Sequence, residues 1–195
     1  MRVLLTLLTL ASLALSACQR QLASPQDVDV RGILPALDVQ MTNAATGQPL
    51  TQAALRGHTI LLYFGYTHCP DVCPATLFDL TRIEKRMGKS AANIIVLFVT
   101  VDPDRDSAPL LAQYTAIFGA NVIGLRGNAD QLTSLARLYR VAYTVTKTPV
   151  YTVAHSSSIY VFNAQGEAEM IIAGLNLGHP DIDGISKDLT AIADE

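Results

Sequence analysis

From about residue 35 to the C-terminus, short runs of continuous or alternating hydrophobic residues trade places with segments of helical period. Thr59–Phe64 (TILLYF) and Ile94–Val101 (IIVLFVTV) are unbroken apolar runs of strand length, the pattern of strands buried on both faces. Leu37–Met41 alternates instead. Together with the turn-forming stretch Asn43–Pro49, which contains Gly47, it predicts a short hairpin at the start of the domain. Between the two apolar runs, Pro74–Met87 sets Leu77, Leu80, Ile83 and Met87 on one helical face, with Gly88 placed to stop the helix. Ser107 is expected to cap a second helix carrying Leu110, Leu111, Tyr114 and Phe118, with Pro109 in its first turn. A strand at Val122–Leu125 and a helix over Asp130–Tyr139 follow. Strands are then expected at Val150–Val153, Ile159–Phe162 and Ala168–Ile172, the last two joined by a turn at Gly166. Ile182, Ile185, Leu189 and Ile192 give a final helix its apolar stripe.

This order predicts an α/β domain over residues 35–195: a thioredoxin-like fold with a central mixed sheet flanked by helices and an N-terminal β-hairpin extension. Right-handed crossovers would bring the end of strand 59–64 and the start of the next helix to one edge of the sheet. Residues 19–34 are mostly polar and without sustained period, so 18–34 reads as an N-terminus and tether. Residues 1–17 carry one cation, Arg2, and then only apolar and small residues. That fits a secretory leader, too short for the ~20 apolar residues of a membrane span. It ends in Leu15-Ser16-Ala17-Cys18, which resembles the bacterial lipobox. Cys18 is therefore expected to be lipidated and to hold the domain, through its lipid, on the extracytoplasmic side of a membrane. The alternative is an ordinary cleaved leader with a chance cysteine beside the cut.

Composition narrows the function classes. Half the residues are hydrophobic and the formal net charge is −3 with no basic run, which argues against nucleic acid as a partner. Three cysteines are too few for a disulfide-dense scaffold. With Cys18 assigned to the lipid, Cys69 and Cys73 remain as a pair.

That pair lies in Gly65-Tyr66-Thr67-His68-Cys69-Pro70-Asp71-Val72-Cys73-Pro74, between the first apolar strand and its helix. A spacing of four is about one helical turn, so both sulfurs can lie on one side of it. Unpaired N–H groups at a helix N-terminus stabilise thiolate, so both thiols are expected to be acidic. Such a pair can chelate a soft metal or close to a disulfide. A purely stabilising bridge would close a very small loop and gain little. The spacing is C-x-x-x-C rather than the C-x-x-C of thioredoxins. Thr67 is two residues before Cys69, not the three a peroxiredoxin needs. A structural zinc site would need two further ligands. Two thiolates without them suit a low-coordinate soft ion, above all Cu(I).

The segment from Phe64 to Pro74 resembles the signature of the Sco/SenC family of copper-binding proteins. Thr100-Val101-Asp102-Pro103-Asp104-Arg105-Asp106 resembles that family's T-V-D-P-x-R-D segment, and Tyr151-Thr-Val-Ala-His155 its strand-end histidine motif. Two departures stand out: Ala154 replaces a frequent Asp, and the proline after Arg105-Asp106 comes one place later, at Pro109. The resemblance implies a thioredoxin-like copper carrier. It makes His155, in the loop entering strand 159–162, a third metal ligand beside Cys69 and Cys73. It also implies copper delivery to the CuA centre of cytochrome c oxidase subunit II. A thiol–disulfide oxidoreductase that reduces the target's cysteines, or a redox or copper sensor, would use the same pair. His68, His58 and His179 are expected to be structural, Asp71 to cap the helix, and Asp102, Arg105 and Asp106 to form an ion-pair cluster at the rim.

Overall fold

The computed structural model describes residues 21–173, 175 and 178–195, so the leader, Cys18 and residues 19–20 lie outside it. Its strands are β1 (Asp27–Asp29), β2 (Met41–Asn43), β3 (Pro49–Leu50), β4 (Thr59–Gly65), β5 (Ile94–Thr100), β6 (Val122–Arg126), β7 (Tyr143–Thr146), β8 (Thr152–His155), β9 (Ile159–Phe162) and β10 (Ala168–Ile172). Four α-helices accompany them: α1 (Val72–Met87), α2 (Ala108–Ala116), α3 (Ala129–Leu138) and α4 (Ile182–Ala193). Eight strands form one sheet in the order β1-β10-β9-β4-β5-β6-β2-β3, while β7 and β8 pair only with each other. β4, β5 and β6 are parallel; β9 runs antiparallel to β4, and β10 to β9. This is the mixed α/β, thioredoxin-like arrangement expected from the pattern.

The apolar runs sit where their composition requires. β4 is buried along its whole length and β9 likewise, as strands covered on both faces must be. Leu77, Leu80 and Ile83 turn the inner face of α1 toward that core. Ser107 caps α2, its hydroxyl accepting from the Leu110 N–H at 3.4 Å. α3 begins with a capping box in which Asn128 and Gln131 satisfy each other's backbone N–H. The N-terminal hairpin is present as β2–β3 and extends the sheet by pairing β2 with β6.

Three expectations are corrected. Residues 37–40 form no strand, although Leu37, Val39 and Met41 are buried in alternation, and the hairpin starts later, at Met41. The stretch expected to be a tether is largely part of the fold. β1 adds to the sheet edge against β10, Val30 is buried, and the Asp188 carboxylate accepts the N–H groups of Ala23 and Ser24 at 2.8–2.9 Å. The strand expected at 150–153 lies at Thr152–His155, because it pairs with an unforeseen partner, β7. Among the described residues no helix is long and apolar enough to cross a membrane.

Candidate metal centre

β4 ends in Gly65, and the chain then turns through Tyr66 to Pro70 into α1. A Cβ at Gly65 would come within 2.6 Å of the Phe98 ring and 3.0 Å of the Cys73 sulfur, so only glycine lets the strand end pass this close. Cys73 sits in the first turn of α1, facing inward and fully buried; Cys69, on the loop, is half-buried. Both thiols are free. Asp71 occupies the N-cap position but makes no side-chain capping bond, contrary to expectation. The Cys69 sulfur takes that part instead, accepting from the Cys73 N–H at 3.4 Å.

His155 arrives from the other side. It is the last residue of β8 rather than part of the loop into β9, and the β7–β8 hairpin carries it over the cysteines. Its Nδ1 lies 2.8 Å from the Ser156 carbonyl, a hydrogen bond that makes Nδ1 the protonated nitrogen and leaves the Nε2 lone pair free. Nε2 is 3.4 Å from the Cys73 sulfur. Edge contacts with the rings of Tyr63 and Tyr66 hold the imidazole between them. The two sulfurs and the imidazole nitrogen all lie within 4.8 Å of one another. A cavity of about 320 Å³, lined by Tyr66, Cys69, Pro70, Val72, Val153 and His155, reaches Cys69 and His155, with Cys73 buried behind them. A larger cleft of about 720 Å³ beside α1 and the start of α4 contains neither cysteine nor histidine.

The two thiols differ, which corrects the expectation that both are acidic. Burial opposes ionisation of Cys69, but the backbone N–H groups of Cys73 and Asp71 outweigh it and hold the thiol below its ordinary value. Cys73 faces the core, and burial pushes it up to about 12. Burial also lowers His155, against the opposing bond to the Ser156 carbonyl, so the imidazole is favoured in the neutral, ligating form.

The other expected site residues form the frame. Asp106 is fully buried and accepts from the Thr67 N–H at 3.0 Å and from the hydroxyls of Thr67 and Thr100, both at 2.6 Å. Asp102 pairs with Arg105, and the Tyr151 hydroxyl donates to it at 2.6 Å. His68 is exposed, its Nδ1 3.1 Å from Thr67 Oγ1. His58 precedes β4 at the opposite end of that strand from Gly65, and the His179 carbonyl accepts from the Gln26 side chain. Sequence reasoning did not single out Gly65, Tyr66 or Tyr151 for roles of their own. All three stood inside the motifs that it did use. Two thiolates and one imidazole form a donor set suited to copper, trigonal for Cu(I) and able to accept a further weak ligand for Cu(II).

Known proteins share this plan. A copper-bound ScoI structure from Arabidopsis thaliana superposes with a TM-score of 0.71 at 28% identity, over 82% of this chain and 98% of that one. A copper-bound ScoI from Bradyrhizobium japonicum gives 0.68 at 31%, over 80% and 98%. The mitochondrial protein SCO2 homolog of Mus musculus is 38% identical over 125 residues, 62% of this chain and 49% of that protein. The chain spans about half the length of that curated relative. The sequence profile described as SCO1/SenC matches residues 40–190, which include all three converging donors and the frame around them, and the chain belongs to that family.

Proposed function

We propose that the protein is an extracytoplasmic, membrane-anchored copper chaperone that binds copper through Cys69, Cys73 and His155 and passes it to the CuA centre of cytochrome c oxidase subunit II. The observation that carries this reading is the convergence of two free thiols and a neutral imidazole within 4.8 Å, with Cys69 and His155 lining a cavity. Copper is the cargo. A three-coordinate site leaves room for an incoming thiolate, so handover proceeds by ligand exchange, and Cys69, the more exposed sulfur, is the first to be replaced. Lipidation at Cys18 leaves residues 19–22 before the first N–H held by Asp188, at Ala23. Five extended residue steps reach roughly 17 Å, so the domain would stay close to the bilayer.

The asymmetry of the thiols favours a second reading, a thiol–disulfide reductase. The Cys69 thiolate would attack a target disulfide, and Cys73 would then displace the reduced target while closing the Cys69–Cys73 bridge. His155 separates the two readings, since reduction does not need it. An anaerobic Cu(I) titration of the reduced protein against a chromogenic chelator tests the first. One equivalent bound, lost in Cys73→Ala and weakened in His155→Ala, supports it. No competition at any chelator strength, with both thiols verified reduced, refutes it and leaves the pair as a redox device.

A further inference from the structure

The imidazole and the two sulfurs reach the centre on separate pieces of structure. Cys69 and Cys73 ride on the connection from β4 into α1, anchored in the main sheet, whereas His155 ends a hairpin that pairs only with itself. A lone two-stranded hairpin is marginally stable in water, so its place depends on what it docks against.

One turn, residues 102–106 after β5, touches both pieces. Its buried Asp106 takes the Thr67 N–H and hydroxyl and so holds the cysteine loop. Its equally buried Asp102 accepts the Tyr151 hydroxyl at 2.6 Å on one oxygen and Arg105 Nε at 2.5 Å on the other. The Arg105 guanidinium lies over the Tyr151 ring, 3.9 Å from its centroid. Asp102 has little freedom of its own. Its N–H donates to Thr100 Oγ1 at 3.0 Å, and its carbonyl accepts from the N–H groups of Arg105 and Asp106. Tyr151 immediately precedes β8, four residues before His155. Among the described residues the hairpin's other polar links outward are weaker: an exposed Lys147–Asp104 ion pair, a 3.4 Å contact between the Thr133 and Tyr143 hydroxyls, and the 3.4 Å approach of His155 Nε2 to the Cys73 sulfur.

We infer that Tyr151, gripped by Asp102 and Arg105, is a positioning residue that fixes the imidazole of His155 over the cysteines and so sets the strength of metal binding. The 102–106 turn then acts as a gauge between the two halves of the donor set. This inference rests on the copper-site reading above.

The test combines a double-mutant cycle with a metal-free measurement. In anaerobic Cu(I) competition, Tyr151→Phe is expected to bind about tenfold more weakly than the wild type, the lower end of the loss for removing a support behind a ligand. In the His155→Ala background the same substitution should change affinity less than twofold. Undiminished affinity in Tyr151→Phe, or an equal loss in both backgrounds, overturns the inference. In the metal-free protein, amide exchange across Thr152–His155 should quicken about tenfold in Tyr151→Phe, while β4 and β5 quicken by no more than the fall in global stability read from urea denaturation. Unchanged exchange in the hairpin also overturns it. A wild-type protein that fails to bind copper would refute the copper-site reading, while the exchange measurement would still decide whether Tyr151 holds the hairpin.

Discussion

Copper binding should be coupled to proton release, chiefly through Cys73. The thiol is pushed up to about 12 by burial, so at pH 7 it is protonated in the metal-free protein. Ligation requires the thiolate. At 1.36 kcal/mol per unit, deprotonating Cys73 at pH 7 costs about 7 kcal/mol, which the Cu–S bond must offset. Every unit of pH lowers that cost by the same 1.36 kcal/mol, so the apparent Cu(I) affinity should rise about tenfold per pH unit from this one group. Cys69, held below the ordinary thiol value, adds a second proton only where it is still protonated. His155 adds slope only at lower pH, since its own value is depressed below 6.5. The assay is a chelator competition at pH 6.5, 7.0, 7.5, 8.0 and 8.5, corrected for the chelator's own protonation. The expected slope of log affinity against pH lies between about one and two. A flat profile would refute the reasoning, because a Cys73 that binds without losing a proton cannot be the buried, protonated thiol described above.

Gly65→Ala should lower stability to urea by about 1–3 kcal/mol, since the added methyl meets the buried Phe98 ring, and should weaken Cu(I) binding by displacing the Cys73 sulfur. Asp106→Ala leaves the Thr67 and Thr100 donors unpaired in a buried site and should cost about 3 kcal/mol by the same measurement. Asp27 is raised from 3.8 to about 7 by burial first and then by the charges of Asp188 and Asp181. A raised carboxyl stabilises fully below its unfolded value and loses that contribution as pH rises through about 7, so Asp27→Asn should gain about 2 kcal/mol over the wild type between pH 5 and pH 8. A difference between the two proteins that does not vary with pH in urea denaturation would contradict this.

The elements legible in the sequence are those whose own residues carry the signal. β4, β5 and β9 announce themselves as apolar runs, and α2 through Ser107 and its apolar face. β1 and β7 do not. β1 is a three-residue edge strand with Val28 exposed, and the segment before it is held by the Asp188 carboxylate, from far along the chain. β7 is four residues long and half-exposed, and it becomes a strand only because β8 lies against it. A window-based hydrophobic pattern has nothing to detect in β1, and in β7 the strand-favouring Tyr-Thr-Val-Thr lacks the apolar run that marks the central strands.

The centre divides along the same line. Cys69 and Cys73 are readable from their residue type and spacing, and His155 through the family resemblance of its motif; the fold then brings the three within 4.8 Å. How each one behaves depends on contacts made across the fold. Cys73, in the first turn of α1, and Cys69, on the loop just before it, are four residues apart, yet one is raised and the other lowered, because the inward sulfur loses water while the outer one gathers N–H donors. The loop between them looked as though Asp71 would cap it; the Cys69 sulfur accepts the Cys73 N–H instead. A metal that draws on that sulfur also draws on the group that starts α1. Copper uptake and the order of the first helical turn are therefore linked through a single atom.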